Sequence, residues 1–282
     1  MGFMLKLGAP LFASIDSPAA WIAALRDAGY SAAYCPVDEH ADEATIRAFA
    51  GAAEEAGIVI AETHAWSNII APDEQTRRNA ISLCQQRLSL AERIGARCCV
   101  NFSGTRSPKH TVVPHPDNLT TATFDLLVDT VREIIDAVRP ERSRFTLETM
   151  PWALPDSIES YLALIDAIDR RGFAVHLDLA NLINCPARFF DHTTLMVDCV
   201  QRLGPWIRSC HIKDIRMSQE LMVHIDECPP GQGQMDLTVL LGELSQLEGD
   251  IPVMLEHMDS HAAYQKAATH LRQAARSRAI EL

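Results

Sequence analysis

Short apolar runs rich in β-formers alternate along the chain with longer stretches whose apolar residues fall three and four positions apart. The short runs predict eight strands, at Lys6–Phe12, Ser31–Pro36, Ile58–Trp66, Arg97–Ser103, Phe145–Met150, Ala174–Asn181, Arg208–Ile215 and Pro252–His257. The longer stretches predict helices at Ser17–Ala28, Asp42–Ala56, Asp73–Ile94, Asn118–Val138, Asp156–Arg170, Asp191–Gly204 and Asp236–Leu247. Ser17, Asp42, Asp73, Asp156 and Asp191 stand where a side-chain oxygen can accept from the free N–H groups of a first turn. Gly29, Gly57, Gly95 and Gly172 stand where a left-handed residue ends a helix.

No Pro-, Ser- or Gly-rich linker divides this alternation, so one domain is expected. Strictly alternating βα units imply a parallel sheet. Eight of them, with no Gly-x-Gly-x-x-Gly after the first strand, favour closure: an α/β fold, a single (βα)8 TIM barrel over 1–282. The segment 216–231 is too long for an ordinary βα connection and is expected to lie over the barrel mouth as a lid.

In such a barrel the chemistry sits at the C-terminal ends of strands. Four strands end in polar residues: Leu147-Glu148, Leu177-Asp178, Cys210-His211 and Leu255-Glu256. An acid in an apolar strand is costly unless it is paired or bound to a cation. Three such acids and one histidine on four successive strands predict a ring around one point. Three carboxylates and an imidazole suit Mn²⁺ first, with Co²⁺, Mg²⁺ or Zn²⁺ compatible. Cys210 precedes His211 and therefore faces away from it.

Phe145-Thr146-Leu147-Glu148, His176-Leu177-Asp178, Cys210-His211-Ile212-Lys213-Asp214, Pro230-Gly231-Gln232-Gly233 and Met254-Leu255-Glu256-His257 resemble, in order and spacing, the xylose-isomerase-like TIM-barrel superfamily. Within it the likeness is to the sugar (phosphate) isomerase/epimerase group, including ketose 3-epimerases. The resemblance implies a divalent metal held by Glu148, Asp178, His211 and Glu256, with Glu148 and Glu256 facing a bound sugar from either side as acid and base. It implies an isomerase or epimerase of a small sugar or keto-sugar. A lyase or dehydratase on a 3-keto-glycoside or keto-inositol is the alternative, and a non-catalytic sugar-binding barrel a third reading. Relatives are often dimers or tetramers, so a homo-oligomer is compatible.

Two departures narrow this. Asn101 and Asn181 stand where the superfamily's DNA-repair endonucleases have zinc-binding histidines, and only His64 remains. Asn181 also replaces the substrate-contacting histidine of ketose 3-epimerases. The expected substrate contacts are His64, Trp66, His176, Asn181, Lys213 and Glu227, with His224 beside Glu227 on the long loop. His176 and Lys213 sit two residues from Asp178 and His211, and so on the same inward faces. Gly231-Gln232-Gly233 reads as a tight turn, with a phosphate cradle as the weaker reading.

The net charge of −12, from 37 acidic against 25 basic residues, argues against nucleic acid. Eight cysteines without paired spacing read as small buried hydrophobes of a reducing compartment. No membrane-length apolar run and no secretory or myristoylation pattern is evident, with Lys6 where the latter wants Ser or Thr, so a cytoplasmic location is expected.

Overall fold

The computed structural model describes residues 4–282; Gly2, which a myristoyl anchor would need, lies outside them. Eight parallel strands form one sheet: β1 (Leu5–Gly8), β2 (Ala32–Tyr34), β3 (Val59–His64), β4 (Cys98–Asn101), β5 (Arg144–Glu148), β6 (Phe173–Asp178), β7 (Ile207–Ile212) and, after an inserted hairpin, β10 (Ile251–Leu255). They run in the order β1-β10-β7-β6-β5-β4-β3-β2. The remaining seam between β1 and β2 is bridged where the Ser31 N–H donates to the Leu7 carbonyl at 2.9 Å. At that seam Gly8 is required, because a Cβ there would lie 2.6 Å from the Ala32 carbonyl oxygen. The fold is therefore the expected single-domain (βα)8 barrel.

The helices on its outside begin and end largely where the polar punctuation places them. Ser17, Asp42 and Asp73 cap α1 (Pro18–Ala28), α2 (Glu43–Ala56) and α3 (Glu74–Ile94), and Gly29, Gly57 and Gly95 close them in left-handed conformations. Several boundaries differ. The fourth helix, α4 (Thr121–Val138), is capped by Thr120 because Pro116–Leu119 forms a separate 3-10 turn. Ser157, not Asp156, caps α5 (Ile158–Ile168), since Ser160 completes a reciprocal box with it. Asp169 ends that helix, and Gly172 serves packing instead: a Cβ there would meet Ile135 at 2.6 Å. The sixth strand stops at Asp178, which accepts from the Asn181 N–H at 3.3 Å and starts the one-turn α6 (Leu179–Leu182).

After α7 (Pro186–Phe190) comes α8 (His192–Leu203), which Asp191 precedes without a capping bond. The expected irregular loop after β7 is an antiparallel hairpin, β8 (Asp214–Met217) and β9 (Ile225–Cys228). It is followed by α9 (Leu237–Leu244) and, after β10, by α10 (His261–Ser277), which the periodicity did not mark. Four of that helix's six buried residues are alanines, a weak apolar signal.

Buried Asp214 pins the base of the hairpin. Its carboxylate accepts from the N–H groups of Ile215 (2.8 Å), Met235 (2.9 Å), Gly231 and Gly233 (both 3.0 Å). The Gly231-Gln232-Gly233 donors are thus taken by the protein itself, which supports the turn reading over a phosphate cradle. Asp214→Ala leaves those donors without their acceptor and is expected to cost about 3 kcal/mol of stability, read from chemical denaturation.

The eight cysteines are all free; five are buried, and burial pushes the Cys98 and Cys210 thiols up, as apolar packing requires. No helix among the described residues is long and apolar enough to cross a membrane.

Candidate metal centre

Glu148 and Asp178 are the last residues of β5 and β6, His211 is the penultimate residue of β7, and Glu256 follows β10 directly. In-register pairing sets Asp178 beside His211 and His211 beside Met254, which brings Glu256 to the same level. One ligand atom from each of Glu148, Asp178, His211 and Glu256 lies within 4.8 Å of the others. The Nδ1 atom of His211 is 2.8 Å from Glu148 Oε1 and 2.9 Å from Glu256 Oε2. Lys213 Nζ stands 2.6 Å from Asp178 Oδ2 and 2.9 Å from Glu256 Oε1. Neither of these carboxylate oxygens has a partner of hydrogen-bonding geometry.

The electrostatics follow from burial and crowding. Burial penalises the charged form of His211, but Glu256 and Glu62 outweigh it and hold the imidazole well above its usual range. Burial pushes Asp178 up to about 7 against the pull of Lys213. Lys213, equally buried, is held well above the ordinary lysine range by Asp178 and Glu256. Three carboxylates thus crowd one imidazole and one ammonium in a buried site, and two of their oxygens have no donor of hydrogen-bonding geometry. Hard oxygen donors plus one imidazole fit a divalent cation there.

Beneath this ring lies Glu62, which we did not single out from the sequence. It is fully buried on β3 and makes contacts on all sides: His211 Nε2 at 2.9 Å, His64 Nε2 at 3.1 Å, His176 Nδ1 at 3.3 Å, and the Ser209 hydroxyl, which donates at 2.8 Å. Burial alone would raise its pKa, but His176 and His211 hold it well below the carboxylate range. By accepting from Nε2–H, Glu62 leaves Nδ1 of His211 free to meet the three-carboxylate ring. The signal was available, since Glu62 is an acid in an apolar strand two residues before His64. Glu62→Gln is expected to weaken divalent-metal affinity about ten- to a hundredfold, measured by competition with a chromophoric chelator.

The other expected contacts separate by depth. Trp66 is 41% exposed at the mouth and stacks on His64, ring centroids 5.4 Å apart. Asn181 is committed on both sides: its Nδ2 donates to the Thr149 carbonyl at 3.0 Å and its Oδ1 accepts from Lys213 at 3.3 Å. Glu227, on β9, reaches Lys213 at 3.3 Å and His257 Nδ1 at 3.0 Å. His176, by contrast, is fully buried under His211, ring centroids 4.1 Å apart, and offers no surface to a ligand in the mouth. His224 is exposed and points to Glu220, 3.9 Å away, rather than into the centre.

A (βα)8 barrel with its buried polar cluster at the C-terminal ends of the strands has the arrangement in which barrel enzymes carry their active sites. The chain belongs to the xylose isomerase-like TIM barrel family, whose model matches residues 22–274. No curated protein sequence matches it. Among solved structures it is similar to a xylose isomerase-like TIM barrel protein from Mycobacterium smegmatis in complex with magnesium (16% identity, 97% of each chain covered, TM-score 0.66). It is also similar to 3-keto-D-glucoside 4-epimerase from E. coli (15% identity, 95% of this chain and 99% of that one, TM-score 0.69). A third is the probable 3-DHS dehydratase of petrobactin synthesis from Bacillus anthracis (16% identity, 95% and 98%, TM-score 0.70). At these identities the likeness is one of fold.

Proposed function

We propose that the protein is a divalent-metal-dependent isomerase or epimerase of a sugar or keto-sugar, working through an enediolate with Glu148 and Glu256 as acid and base. The observation that carries this reading is the meeting of the two glutamates at His211 Nδ1, with Asp178 and Lys213 completing the ring. A divalent ion held by Glu148, Asp178, His211 and Glu256 would supply Lewis-acid stabilisation of negative charge on the substrate oxygens. Manganese is the ion we expect, with cobalt, magnesium or zinc compatible.

The chain's own groups do the rest. One glutamate removes the proton beside the carbonyl. Return from the opposite face inverts the carbon, and return at the neighbouring carbon exchanges aldose and ketose. Lys213, held as an ammonium, donates toward developing oxyanion charge. His64 and the exposed face of Trp66 flank the substrate, and Asn181 and Glu227 meet its hydroxyls. The 216–231 segment acts as a lid through Glu227, which carries the hairpin onto Lys213 and His257.

A second reading is favoured by Asn181. Its amide transfers no proton, which leaves the two glutamates as the proton-transfer groups around Asp178. In a lyase or dehydratase acting on a 3-keto-glycoside or keto-inositol, one glutamate would protonate the departing oxygen, and Lys213, 2.9 Å from Glu256, would donate a hydrogen bond to the enolate oxygen. Incubation of the manganese-loaded protein with ketoses and keto-glycosides in D₂O separates the two. Deuterium in recovered substrate or product marks enolisation, and ultraviolet absorbance of an enone marks elimination. Absence of both across the panel overturns the enolate mechanism.

A further inference from the structure

Two cavities flank the centre. One, of about 430 Å³, touches His211 and Glu256 and runs past the ends of β1, β2 and β3, walled by Leu11, Ile15, Tyr34, Trp66 and Tyr264. The other, of about 350 Å³, lies between the end of β6 and the hairpin and holds Asn181, Asn184 and Glu227. Lys213 bridges toward this second side through Asn181 and Glu227.

The polar atoms of the first cavity are largely committed. The Tyr34 hydroxyl donates to the Leu255 carbonyl at 3.2 Å, the Tyr264 hydroxyl accepts from the Met258 N–H at 3.4 Å, and His64 Nε2 faces Glu62 at 3.1 Å. Among the described residues no lysine, arginine, asparagine or glutamine lines it. A ligand arm rich in hydroxyls would lose its hydration there with little replacement, and the imidazoles that line the cavity beside the centre are already engaged by carboxylates, His211 by Glu148 and Glu256 and His257 by Glu227. Aromatic faces are what the walls offer: Trp66 is open to the mouth, and Tyr34 stands edge-on to His64 at 4.8 Å. Such surfaces take up planar apolar rings.

We propose that this cavity is a subsite for an uncharged aromatic group carried by the substrate. The substrate class is then a keto-sugar glycoside with an aryl aglycone, its sugar hydroxyls turned toward Asn181, Asn184 and Glu227. The sugar half of this statement rests on the keto-sugar reading above; the aromatic half rests on the cavity. Two hydroxamate chelators that differ only in their arm separate the halves: acetohydroxamate and benzohydroxamate, titrated calorimetrically into the manganese-loaded protein.

Benzohydroxamate is expected to bind about tenfold tighter or more. Leu11→Glu brings the ratio of the two affinities toward one; should that variant fail to fold, Trp66→Ala, at an exposed position, makes the same test. Equal affinities in the unaltered protein overturn the subsite whatever the sugar, as does tighter binding of 4-carboxybenzohydroxamate than of benzohydroxamate. Phenyl 3-keto-β-D-glucopyranoside is expected to bind at least about tenfold tighter than its methyl counterpart. If benzohydroxamate is preferred while neither keto-glycoside binds, the keto-sugar assignment falls and the aromatic subsite stands.

Discussion

Glu148→Gln and Glu256→Gln are each expected to lower turnover by about a thousandfold or more while much of the bound divalent ion is retained. The amide keeps the shape of the side chain and one ligand oxygen but cannot accept the proton. The two variants are expected to differ. Loss of the glutamate that faces the reacting C–H abolishes solvent deuterium exchange, whereas loss of its partner permits exchange at the same carbon without net conversion. In a lyase, the variant lacking the acid slows departure of the leaving group while exchange continues. Deuterium incorporation and net turnover, measured side by side on both variants, check this. Near-normal turnover in both refutes the acid–base pair.

Asp178→Ala and His211→Ala are expected to lose most of the bound metal and nearly all activity while the barrel stays folded. Both side chains lie at the C-terminal face, where side chains serve the site more than the packed layers beneath. Asp178 is wholly buried and paired with Lys213 at 2.6 Å, so its removal takes away a ligand and leaves the buried ammonium to Glu256. The His211 variant strips the imidazole from three acids and leaves Glu62 to His64, His176 and Ser209. Elemental analysis after dialysis against manganese, with thermal unfolding as the control for folding, makes the measurement. Stoichiometric metal in both variants refutes the ligand set.

The eight barrel strands and the four residues of the ring were legible because each rests on a short-range rule. Strands announce themselves by apolar runs, and an acid after leucine at a strand end stands out against them. Helix boundaries failed where two capping groups compete, as at Asp156 and Ser157, or where a short turn precedes the helix, as at Pro116–Leu119. The last helix, α10, was missed because alanine carries little apolar signal even when buried. The 216–231 segment read as an irregular loop because its strands lack alternation. Its pairing is held instead by Asp214, whose four backbone partners reach as far as Met235.

What the sequence by itself determined is the order of βα units, the closure they imply, and which residues project from strand ends toward the mouth. Those follow from periodicity and from the cost of a lone buried charge, both local properties. Only the tertiary structure decided depth and partnership. Alternation places His176 and Asp178 on one face alike, yet the first sits under His211 and the second beside it. Glu62, 149 positions from His211 in the chain, becomes its partner only when β3 and β7 face each other across the barrel interior. The same closure sets an aromatic cavity on one side of the ring and one that holds Asn181, Asn184 and Glu227 on the other. Distances across a barrel depend on stagger and tilt summed over several strands, and no window along the chain contains that sum.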